Sequence, residues 1–177
     1  MIMLRRPAVP LFLLPILFGL STVQAQETCP GGYASTFRLK GLVKNRKKFT
    51  LESLQQYTPS KMVVSFFSGS QGLVTKTYLG VLLSDLLDQA EVILDPSHKN
   101  DSLRKYLEIT ATDCYQVIVA LVELLPNFGG QQVLIAYADG DGNPLTDEGM
   151  ARLVVPGDKA GGRFIMNIVS IVVRSTP

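Results

Sequence analysis

Eight short runs rich in β-branched and aromatic residues, each closed by a turn signal, constrain this chain more than any other feature: "TFRLKGLV", "KMVVSFF", "VTKTYLG", "KYLEITATD", "YQVIVAL", "QVLIAYA", "ARLVV" and "NIVSIVV". Runs of this length bounded by Gly, Pro, Asn, Asp or Ser read as strands. Helical spacing is confined to brief stretches. "FTLESLQQY" has Leu51 and Leu54 three apart after Thr50, a usable N-cap, and Pro59 closes it. "VLLSDLLDQA" (Val81 to Ala90) sets Val81, Leu82, Leu86 and Ala90 on one helical face and Ser84, Asp85, Asp88 and Gln89 largely on the other. "VELLPNFGG" reads as a turn of helix and a loop. Many strands with few helices, and no internal repeat, specify a β-rich α+β domain.

The first 25 residues differ in kind from the rest. Arg5 and Arg6 precede the apolar run "AVPLFLLPILFGL", and "VQA" at Val23 to Ala25 gives a small-residue exit. That order is a secretory signal peptide, and the run is shorter than the roughly 20 residues a bilayer span needs. The expected division is therefore a signal peptide over 1–25, an N-terminal tail over 26–35 and one domain over 36–177, with a periplasmic or secreted mature chain and no membrane span after cleavage. Roughly 150 residues remain, enough for a single core. Of 17 Lys plus Arg and 15 Asp plus Glu, the segment removes two arginines and no acid, so the mature chain has no formal net charge. Nucleic acid is not an expected partner of such a chain. The local run "KNRKK" (Lys44 to Lys48) has no aromatic residue within it and reads as a solvated hairpin tip. Cys29 and Cys114 are the only cysteines. In an oxidising compartment a disulfide between them is allowed, but sequence alone leaves open whether the side chains meet.

Two polar stretches invite a metal reading. "DPSHKND" carries the only histidine, His98, with no cysteine or second histidine beside it, so a solvated loop is expected. "DGDGNPLTDEGM" starts like a calcium loop, with Asp139, Asp141 and Asn143 at the first, third and fifth positions. Pro144 then stands where the sharp turn needs glycine, Met150 where a bidentate glutamate belongs, and strands flank it where helices are required. No calcium is expected. The segment reads as a Gly-Asn-Pro turn between strands.

The longer phrase "AYADGDGNPLTDEGMARLVVPGDKAGGRFIMNIVSIVV" resembles the molybdopterin-binding domain of the sulfite oxidase family. The matching pieces are Pro144-Leu145, Gly149, Arg152 to Gly157, Gly162-Arg163 and the last strand through Val173. "LKGLV", "FTLESL", "YLGVLLSDLL" and "ATDCYQVIVAL" fit earlier segments of that family, so the resemblance runs from about Thr36 to Arg174. It implies a fold of mixed sheets with a few short helices, and a cleft in which a molybdopterin cofactor is held. The expected cofactor-binding residues are Ser68, Gly69 and Ser70 of the "SGSQG" loop with Arg152, Gly162 and Arg163, and Lys159 is a further positive group there.

Two departures bear on function. The family's molybdenum-ligating cysteine falls at Phe67, whose ring cannot coordinate a metal, and Cys114 replaces the glycine of a different element. Phe164 and Met166 stand in place of a serine and a lysine that grip the anionic cofactor, which weakens the attraction for it. The leading expectation is a non-catalytic or divergent ligand-binding module, with an anionic small molecule, the cofactor or a partner protein as ligand. The alternative is a molybdopterin-dependent oxidoreductase transferring an oxygen atom, with Ser68 or Ser70 supplying oxygen to a metal in a non-cysteine environment. No catalytic or metal-ligating residue is assigned in the first reading.

Overall fold

A computed structural model describes residues 29–177. The expected signal peptide over 1–25 and the first three residues of the expected tail lie outside the described residues.

Among the described residues, nine strands form two sheets. The five-stranded sheet runs in the order β2-β1-β9-β5-β6, where β1 is Phe37–Gly41, β2 Lys47–Phe49, β5 Lys105–Ala111, β6 Gln116–Ala120 and β9 Ile168–Ser175. The four-stranded sheet runs β3-β4-β7-β8, where β3 is Ser60–Ser68, β4 Gly72–Leu82, β7 Leu134–Asp139 and β8 Arg152–Val154. The β1–β9 pair is parallel and all other strand pairs are antiparallel, so the architecture is mixed. Each of the eight apolar runs contains a strand. The basic run covers the end of the β1–β2 connection and the first two residues of β2, and all five of its side chains are exposed.

Both faces of β7 are covered, which explains why "LIAYAD" is apolar without alternation. On β7, Ile135 and Tyr137 join the main core with Phe37, Leu39, Leu107, Ile109, Ile171 and Val173 of the other sheet. Leu134 and Ala136 face a second, smaller cluster with Val64, Phe66, Tyr78, Val154 and Phe164. That second cluster lies beneath the candidate site.

Thr50 caps helix α1 (Leu51–Leu54), accepting from the Ser53 N–H while the Ser53 hydroxyl accepts from the Thr50 N–H. Helix α2 occupies Leu83–Ala90, two residues later than the periodicity suggests. Val81 and Leu82 end β4 instead, paired with Ile135 and Leu134, because a long-range ladder claims them before the helix begins. The buried face of α2 is therefore Leu83, Leu86, Leu87 and Ala90. Helix α3 is a single turn, Leu121–Leu124.

The acidic loop is a turn. Asp139 Oδ1 accepts from the backbone N–H groups of Asp141 and Asn143, each at 2.9 Å, and Oδ2 accepts from the Asn143 side chain at 3.0 Å. The Asn143 side chain and these N–H groups hold the Asp139 carboxyl below the usual range. His98 Nδ1 lies 2.8 Å from Asp95 Oδ2 in an exposed loop. The two cysteines do meet: Cys29 and Cys114 form a disulfide with a Cα separation of 5.4 Å. Cys114 sits in the turn after β5 with φ 64°, a left-handed conformation that glycine adopts more readily, at the position where the resemblance places a glycine.

Candidate functional site

The β3–β4 hairpin brings "SGSQG" to its tip, with Ser68 opposite Gly72 and Phe67 opposite Leu73. Facing it is the segment after β8. The Phe67 N–H donates to the Lys159 carbonyl at 2.8 Å, and Phe67 and Ala160 form an isolated parallel bridge. Gly161 then passes so close to β3 that a Cβ there would lie 2.9 Å from the Phe66 ring. The Phe66 ring in turn stacks on Phe164, centroids 4.1 Å apart. A side chain at 161 would push this segment away from the hairpin.

That gap is a cleft of about 520 Å³ bordered by Ser68, Gly69 and Ser70 on one side and Gly161 and Gly162 on the other. The Ser68 and Ser70 hydroxyls lie 3.3 Å apart. Arg152, from the start of β8, also borders it, and only 4% of this residue is exposed. Its Nη1 donates to the Tyr78 hydroxyl at 2.9 Å and to Glu148 Oε2, and its Nη2 donates to the Phe164 carbonyl at 3.0 Å. The guanidinium also lies 5.0 Å from the centre of the Tyr78 ring. Burial pushes the Tyr78 phenol above its ordinary pKa. Arg152 Nε is buried with no hydrogen-bond partner among the described residues. Lys76 reaches the other oxygen of the same carboxylate, Nζ to Glu148 Oε1 at 3.3 Å. One glutamate thus answers two cations, and the lining retains one net positive charge.

Five of the six residues anticipated from sequence therefore meet at one cleft. Arg163 stands apart: its neighbours Gly162 and Phe164 border the cleft, but its side chain turns the other way. Nε and Nη2 form a two-pronged contact with Asp158 at 2.8 and 2.7 Å, and Nη1 donates to Glu123 Oε2 at 3.0 Å. The Asp158 hydrogen bonds, followed by the Glu123 contact, raise its pKa further above the ordinary arginine value. Its fork staples the segment after β8 to α3, so the charge expected at the ligand is engaged in structure. Lys159 contributes its carbonyl to Phe67, and its side chain is not part of the lining. Sequence reasoning overlooked Lys76 and Tyr78. Lys76 sits in an alternating strand whose facing direction only the register with β3 decides.

The donor set decides what the cleft can hold. Its hydroxyls, lysine, arginine and glycine amides suit an anion or a polar ring. A molybdenum held by a protein thiolate, as the family resemblance implies, needs a free cysteine, and both cysteines of the chain are closed on each other in the disulfide. Phe67 borders the cleft and is 58% exposed, and its side chain offers no donor atom to a metal. The residues present do not fit a thiolate-held molybdenum.

A family model described as "Oxidoreductase molybdopterin binding domain" matches residues 30–177. The chain belongs to that family, as the order and spacing of its motifs imply. The crystal structure of the sulfane dehydrogenase SoxCD from Paracoccus pantotrophus superposes with a TM-score of 0.64 at 22% identity, over 81% of this chain. The chain corresponds to 38% of the length of that structure, and the likeness shows the sulfite-oxidase-like fold. No curated protein matches the sequence.

Proposed function

We propose that this chain is a periplasmic or secreted ligand-binding module that keeps the molybdopterin-binding fold and uses the cleft between the β3–β4 tip and Gly161-Gly162 for an anionic small molecule, without a thiolate-held metal. The observation that carries this reading is the donor set: a buried, orphaned Arg152 Nε and the Lys76 ammonium beside a glycine-lined opening, with both cysteines consumed elsewhere. A partner protein approaching the same opening would meet the same groups.

Binding of sulfate, thiosulfate, inorganic phosphate and a phosphorylated pterin, followed through the amide resonances of residues 68–71 and 161–162, tests the assignment. At least one of these anions should shift both sets of amides saturably, and Lys76→Met, on a side chain already 42% exposed, should weaken it by about three- to tenfold. An unperturbed cleft across the whole panel would remove the anion reading.

A further inference from the structure

A second cavity, of about 530 Å³, lies well apart from the cleft in its lining, between α2 and the loop that follows α3. Its walls are apolar, with Leu87 and Leu121 and Leu124 buried at the base. Its charged groups are all carboxylates, Asp85, Asp88 and Glu91. Asp85 and Asp88, three apart on α2, border it with no ion-pair partner among the described residues, while Glu91 at the far end is already bound to Lys44 at 2.7 Å. Across the groove, Gln131 also borders the cavity, and its side-chain Oε1 is buried and accepts no hydrogen bond.

A volume of this size suits a small organic ligand, and an apolar trough with a few converging polar groups is the usual form of such a site. The sign of the polar groups narrows the choice. Two uncompensated carboxylates repel an anion and favour a cation, and a buried acceptor without a donor is costly until an N–H or O–H reaches it. We infer that this groove binds a small organic ammonium compound, its apolar body on the leucines between α2 and α3 and its N–H groups directed to Asp85, Asp88 and Gln131.

The inference stands independently of the anion cleft, because the two linings share no residue. It is tested on the mature chain with a chain-length-matched set, n-octylammonium, n-octanol and n-octanoate, by titration calorimetry and by the amide resonances of residues 84–92 and 121–132. Octylammonium should bind saturably at those residues, more tightly than octanol, with octanoate weakest. The Asp85→Asn, Asp88→Asn double variant should lose about fivefold or more of the octylammonium affinity while leaving octanol unchanged. Both changes are polar and lie outside the buried face of α2, so an unaltered melting temperature is expected and shows that the fold is intact. Failure of octylammonium to bind, equal binding of octanoate, or insensitivity to the double substitution would each overturn the inference.

Discussion

Arg152 and Arg163 lie eleven positions apart, and the resemblance offers both as cofactor-gripping cations, yet the fold uses them in opposite ways. Arg152 is buried under the cleft with one N–H unanswered, its charge shared with a single glutamate that also serves Lys76. Arg163 is 29% exposed on its side chain and matched against two carboxylates at good geometry. The difference teaches that a conserved-looking residue type does not fix a role. An arginine matched by two carboxylates is a staple, whereas one that shares a single carboxylate with a second cation beside an opening leaves positive charge for a ligand.

The largest expected effect comes from breaking the buried member of this pair. Arg152→Met strips Glu148, the Tyr78 hydroxyl and the Phe164 carbonyl of their shared partner, and urea unfolding should show a loss of about 3–5 kcal/mol. A loss no greater than that of a surface substitution would mean that Arg152 is not held as described. Arg163→Ala should cost less, about 1–2 kcal/mol, because its contacts are partly exposed and screened. Anion affinity at the cleft should survive that change, and its disappearance would show that Arg163 turns toward the ligand after all.

The smallest effect concerns the acidic turn. Asp139→Ala removes an acceptor of three hydrogen bonds, so the variant should melt below the parent at neutral pH. Because the folded-state pKa of Asp139 is depressed, its contribution is present above the ordinary carboxylate pKa and is lost as pH falls through the lowered one. Melting curves from pH 7 down to about pH 3 should therefore converge. A gap that stays constant would place the stabilisation outside ionisation of Asp139.

Much of the fold was legible in the sequence because strands announce themselves locally. β-branched runs, turn residues and the Thr50 cap each act within a few positions of where they are read. The start of α2 was not legible, since Val81 and Leu82 fit an amphipathic helix equally well and only pairing with β7, more than fifty residues later, assigns them to a strand. The cleft itself could be anticipated from motif order, because "SGSQG" and "GG" are the two glycine-bearing tips that a resemblance in spacing brings together. What a motif could not supply was direction. The partner of Arg163 on α3 lies forty positions away, Lys76 meets Glu148 across seventy-two, and Cys29 meets Cys114 across eighty-five. Such pairs exist only once the sheets have formed.

The contrast between a retained cleft and an absent thiolate is tested most directly by the molybdenum content of the protein, purified from an oxidising compartment of a host that makes molybdopterin. Elemental analysis should find far less than one molybdenum per chain. One tightly held molybdenum per chain would contradict this and would direct attention to the paired hydroxyls of Ser68 and Ser70 as oxygen donors in a molybdopterin-dependent oxidoreductase.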